Sequence, residues 1–97
     1  MKPLKSDAVK LGQVVDEILW RVWDPIGIND ETNCRDEYQR YAHVVAGMLR
    51  RGAGEKEIAA YLSKVETTAM GLSGTDNRHT RQAASEICAA YGRLKLF

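Results

Sequence analysis

Five carboxylates, Asp24, Asp30, Glu31, Asp36 and Glu37, fall between residues 24 and 37 against the single cation Arg35, so this stretch carries −4 in a chain of net charge +1. Carboxylates grouped in this way can hold a metal ion, exchange protons with a substrate, support a helix start or meet a basic partner. The order Asp24, Gly27, Asn29, Asp30, Glu31 lacks the alternating ligands and terminal glutamate of a calcium loop, so no metal is expected. Acid–base work needs a cleft and a shifted pKa, and the pattern points to neither. His43 and His79 have no nucleophile or second ligand at helical spacing and no HExxH pattern. No catalytic residue and no cofactor are therefore expected, and the chain reads as a non-enzyme. Two readings of the acidic segment stay open. In the mechanical one Asp24 caps a turn, while Asp30, Glu31, Asp36 and Glu37 complement the positive start of a helix. In the other they form a surface for a basic protein.

Other residues could take part in recognition. Of Trp20 and Trp23 one can face the core, whereas Trp20 falls off the apolar stripe and either covers the neighbouring loop or serves as a contact anchor. Arg78, His79, Arg81 and Arg93, with Lys95, make the last segment net positive, which suits phosphate or a plain solvated helix face equally. Cys34 and Cys88 are too few for a disulfide framework and give no CxxC pair, so both read as reduced packing residues.

The elements that would position these groups follow from apolar spacing. Leu11, Val14, Val15, Ile18, Leu19 and Val22 recur in steps of three and four, predicting a helix over about 6–23. Ser6 and Asp7 suit its start, Gly12 weakens it by about 1 kcal/mol relative to alanine, and Asp24-Pro25 ends it. Trp23, Pro25, Ile26 and Gly27 then form a structured turn pinned by Ile26 and Ile28. Tyr38, Tyr41, Ala42, Val45, Met48 and Leu49 predict a second helix over about 33–51, stopped by Gly52-Ala53-Gly54. Ile58, Tyr61, Leu62, Val65 and Ala69 predict a third over about 55–70, closing at Gly71 with Leu72 beyond it. Ala83, Ala84, Ile87, Cys88 and Tyr91 predict a fourth over about 75–94, with a smaller-residue stripe. No period-two alternation suggests a sheet. Short connections favour antiparallel neighbours. The expected fold is thus all-α, a compact antiparallel four-helix arrangement in a single domain of 97 residues, with 1–5 and 95–97 as loose ends.

Composition narrows the function classes. Hydrophobic residues at 44% and charged residues at 28% are those of a self-folding globular domain. Fourteen basic residues against thirteen acidic ones argue mildly against extensive phosphate contact. No apolar run has the length of a signal peptide or a membrane span, which predicts a cytoplasmic protein without a membrane partner.

The combination Trp23-Asp24-Pro25-Ile26-Gly27, then Asp36-Glu37-Tyr38 with Tyr41, then Glu57-Ile58, Tyr61-Leu62, Glu66 and Met70-Gly71-Leu72 resembles a family of small uncharacterised bacterial helical proteins. The resemblance covers roughly residues 15–72, and its most specific part is the Trp-Asp-Pro-Ile-Gly loop followed by Asp-Glu-Tyr. Residues 73–97 carry no matching signature. The resemblance implies a companion of bacterial toxins in the manner of immunity proteins. The expected function is then non-enzymatic protein binding, with Asp24, Asp30, Glu31, Asp36, Glu37 and Trp20 meeting a basic, nuclease-like toxin. The alternatives are a nucleic-acid-binding regulator using Arg78, His79, Arg81 and Arg93, or a small enzyme uniting Asp36 or Glu37 with His43.

Overall fold

Steps of three and four lay Leu11, Val15, Ile18 and Leu19 on one face, and in the computed structural model this segment forms α1, Lys5–Ile18, continued by a π-helical turn, Leu19–Trp23. The structure describes residues 5–24, 27, 28, 30–71 and 78–94. Pro25, Ile26 and Leu72, the expected fourth-helix start at Thr75 or Asp76, and the side chains of Ser6 and Asp7 lie outside what is described.

The π turn changes which residue reaches the core. Its hydrogen bonds close on the fifth residue, as in Asp24 N donating to Leu19 O at 2.9 Å, so the buried face moves on by one position. Trp23, at 1% exposure, therefore takes the core site that strict α-periodicity gives to Val22, which is half-buried.

Residues 32–38 also depart from a plain helix. The expected second helix begins near residue 33, whereas the structure has a 3₁₀ turn, Thr32–Cys34, further turns over 35–38, and then α2, Gln39–Arg50. Successive bonds from Cys34 N to Glu31 O, Glu37 N to Cys34 O and Gln39 N to Asp36 O each span three residues. This tighter winding places Tyr38 at the head of α2 with its ring fully buried.

The other boundaries follow the expected stops. At the end of α2 the amide of Ala53 bonds Met48 O at 2.9 Å and that of Gly52 bonds Leu49 O at 3.0 Å, with Gly52 at φ 96°. These paired bonds satisfy terminal carbonyls, and the left-handed backbone they need is one that glycine adopts freely. α3, Glu55–Lys64, opens with the Gly54 amide donating to the Glu57 carboxylate at 3.2 Å. A second π turn, Val65–Ala69, extends α3, and α4 runs Arg78–Leu94.

α1 packs on α2, α3 packs on α4, and α4 also crosses α1 and its π turn, giving one all-α core. Each helix contributes: Leu11 and Val15, Val45 and Leu49, Ile58 and Leu62, and Ala83, Ala84 and Ile87 are all buried. The alanine face of α4 permits close approach. A Cα radius of gyration of 13.1 Å agrees with the roughly 13 Å expected for about 100 residues folded as one unit. No described helix is long and apolar enough to cross a membrane.

Candidate functional site

Asp24 ends the π turn in a left-handed conformation, φ 29° and ψ 61°, the one non-glycine residue so placed among those described. A residue before proline is expected to leave the right-handed helical region for extended backbone. Asp24 leaves it in the other direction because its carboxylate is held locally. Oδ1 accepts from the Ile28 amide at 2.8 Å and from the Tyr38 hydroxyl at 2.8 Å. One carboxylate thus ties the loop to itself and to the core, since Tyr38 is fully buried.

Around this latch sits an aromatic group. Ring centroids of Trp23 and Tyr38 lie 5.3 Å apart, Trp23 and Tyr41 6.0 Å, and Trp20 and Tyr38 6.0 Å, distances at which tilted rings attract. Trp23 Nε1 is buried without a hydrogen-bond partner, so this cluster rests on packing. Trp20 is half-buried and covers the segment that follows, with the Arg35 guanidinium 5.0 Å from its ring centroid.

Arg35 has a second task. Its Nη1 meets Asp16 Oδ2 at 2.8 Å and its Nη2 meets Glu17 Oε2 at 3.0 Å, clamping the acidic segment onto α1. Asp16 is largely enclosed, with 13% of its side chain exposed, and its Oδ1 is buried without a partner. The clamp directs the one cation of residues 24–37 towards carboxylates from another element. Asp30, Glu31, Asp36 and Glu37 are exposed, and none takes part in an ion pair among the described residues.

The residues expected to meet a partner therefore fall into three groups. Asp24 faces inward and is occupied by Tyr38 and Ile28. Trp20 is engaged with Tyr38 and Arg35. Asp30, Glu31, Asp36 and Glu37 face solvent. Asp36 and Glu37 stand ahead of the first turn of α2, which holds no acidic residue. Gly27, at φ 65°, supplies the left-handed step after Asp24, and its amide bonds Asp24 O at 3.2 Å.

A separate groove lies between α1 and α2, with room for about 410 Å³. Val9, Gly12, Ala42 and Ala46 line it, and Asp16, His43 and Arg50 border it. His43 and Asp16 both border this groove. Among the described residues no group of three or more His, Cys, Asp or Glu could hold a metal ion. On α4 the side chains of Arg78, His79, Arg81 and Arg93 are exposed.

Residues that spacing did not single out also matter. Thr80 is buried, and its hydroxyl donates to Oε1 of Glu66, itself 4% exposed, at 3.0 Å. Cys34 and Cys88 are free and half-buried. Burial and then the Glu55 carboxylate push the Cys88 thiol above its ordinary 9.0, and burial and then Tyr41 push the Tyr61 phenol above 10.0. Both groups keep their protons more firmly in the folded chain. Their contribution to stability is complete below pH 9 and is lost as pH rises through the raised values. Urea midpoints measured from pH 7 to pH 11 should be level to about pH 9 and then decline, with Cys88 the first group to contribute.

Compared with protein families, curated proteins and solved structures, the chain finds no match.

Proposed function

We propose that the chain is a non-enzymatic protein-binding module that meets a basic partner through Asp30, Glu31, Asp36 and Glu37, in the manner of an immunity protein covering the cationic site of a nuclease-like toxin. The observation that carries this reading is the direction of Arg35. Because it is clamped to Asp16 and Glu17, it leaves the four exposed carboxylates without a cation partner among the described residues. Clustered charges without internal partners repel one another, and a cationic surface relieves that repulsion.

Anchorage supports the same reading. The Asp24 latch and the Arg35 clamp hold the described flanks of the segment against Tyr38 and α1, which lowers the ordering cost of association there. Trp20 contributes from beneath by fixing Arg35 and need not touch the partner.

The test is capture of partners by the tagged protein at low and high salt, followed by titration of the captured protein. Reversing Asp30, Glu31 and Glu37 to lysine is expected to weaken binding at least tenfold and to flatten its salt dependence, with the helical spectrum unchanged. Capture that ignores both salt and the reversals would sink the proposal. Binding of nucleic acid by the unmodified protein, lost on neutralising Arg81 and Arg93, would move the function to α4.

A further inference from the structure

We propose that the end of α1 is a two-state element whose winding is selected by the Asp24 carboxylate. In one state residues 19–24 form the π turn with Trp23 in the core. In the other they continue the α-helix, and Val22 takes the core site. The sequence holds both candidates for that site. Leu11, Val15, Ile18 and Val22 follow one another at helical steps of four, three and four, so an unbroken α-helix would bury Val22. The structure buries Trp23 and leaves Val22 half-buried.

Three costs coincide within residues 19–24. The π turn, Leu19–Trp23, is a rare winding that occurs mostly as single turns inside α-helices, often at functional sites. Asp24 stands at φ 29°, in a left-handed backbone that residues with a Cβ resist. Trp23 Nε1 is buried without a hydrogen-bond partner, although an enclosed indole N–H usually has one. An α-helical winding removes all three. The Asp24 amide would donate to the Trp20 carbonyl in place of the Leu19 carbonyl that it now bonds at 2.9 Å. Asp24 would take the extended backbone usual before proline, and the Trp23 indole would turn towards water.

What holds the π turn comes from outside it. Asp24 Oδ1 accepts from the Ile28 amide and the Tyr38 hydroxyl, each at 2.8 Å, and the Trp23 ring lies 5.3 Å from Tyr38 and 6.0 Å from Tyr41. Tyr38 belongs to both sets, so the carboxylate contact and the ring contact are gained or lost together. Strain gathered around one such tie makes an element bistable instead of gradually deformable. The acidic segment follows directly on Asp24, so the winding also sets the point from which Asp30 and Glu31 are presented.

Asp24→Ala cuts the tie and tests this. In the intact chain, an NMR coupling across the hydrogen bond should join the residue 24 amide to the Leu19 carbonyl. The Trp23 indole proton should exchange with water about tenfold more slowly than that of Trp20. In D24A the coupling should move to the Trp20 carbonyl and the indole protection should vanish, with the helical spectrum retained. Burial of Val22 gives a separate readout. Val22→Thr keeps the shape and adds a hydroxyl, which a half-buried site tolerates and a core site does not. It should lower the folding constant about tenfold more in D24A than in the intact chain. Asp24→Gly, the less costly change, carries the same measurements if D24A does not fold. A retained Leu19 bond with Trp23 still protected, an equal cost of Val22→Thr in both backgrounds, or loss of the helical spectrum in both Asp24 variants would overturn the proposal. These measurements need no partner, so the acidic-segment reading survives any of those results.

Discussion

Asp24→Ala is expected to lower the unfolding free energy by about 4 kcal/mol or more. Three losses combine in this one change. The buried hydroxyl of Tyr38 loses its carboxylate acceptor, the Ile28 amide loses the same atom, and alanine must hold a left-handed backbone. Hydrogen bonds to a charged group contribute about 1.5 to 3 kcal/mol each, and the left-handed conformation costs a residue with a plain Cβ about 1 to 2 kcal/mol.

Graded variants separate these contributions. Asp24→Asn keeps an oxygen acceptor and tolerates the left-handed region, so its cost should be about 1 kcal/mol. Asp24→Gly relieves the backbone without supplying an acceptor and should fall between the two. Tyr38→Phe removes one bond and leaves the Ile28 bond in place, for about 1 to 2 kcal/mol. Urea unfolding followed by tryptophan fluorescence gives all four values, since Trp23 packs on Tyr38. Losses under about 1 kcal/mol for both the alanine and the asparagine variants would mean that Asp24 takes no part in a latch. Because the latch also anchors the acidic segment, Asp24→Ala should weaken capture of a basic partner even where the chain remains folded.

A second large effect is expected at Thr80. Valine has nearly the same shape, yet Thr80→Val deprives the buried Glu66 carboxylate of its hydroxyl donor and should cost about 1 to 3 kcal/mol. Glu66→Met in the Thr80→Val background should recover much of that loss, because an apolar pair leaves no polar atom stranded. Such non-additivity is expected of side chains in direct contact. If the two substitutions simply add, the Thr80–Glu66 bond contributes nothing to stability. The pair joins α4 to the π turn after α3, so its loss should appear first as faster amide exchange in Val65 to Met70.

The number and order of the helices were legible in the sequence because burying a stripe on one face requires apolar residues in steps of three and four. That requirement is local, and Leu11, Val15, Val45, Leu49, Ile58, Leu62 and Ile87 meet it plainly. Stops were legible for a similar reason: Gly52 must supply a backbone that other residues resist, and it stands where the α2 stripe ends. The concentration of carboxylates between residues 24 and 37 is a property of composition alone.

What the acidic residues are free to do was decided by contacts between distant parts of the chain. Asp24, Asp30 and Glu31 look alike in sequence, yet only Asp24 lies within reach of a hydroxyl fourteen residues on, and it is thereby turned inward. Arg35 would be assigned to its own carboxylate neighbours by proximity along the chain. It pairs instead with Asp16 and Glu17, because the turns over 32–38 bring it against α1. The π turns were equally hidden, since a shift of one residue in the hydrogen-bond ladder leaves no mark on apolar spacing until Trp23 is seen in the core and Val22 at its edge. Local periodicity fixes which face of a helix is greasy; only the closing of one helix on another determines which charged groups are neutralised and which are left to meet something else.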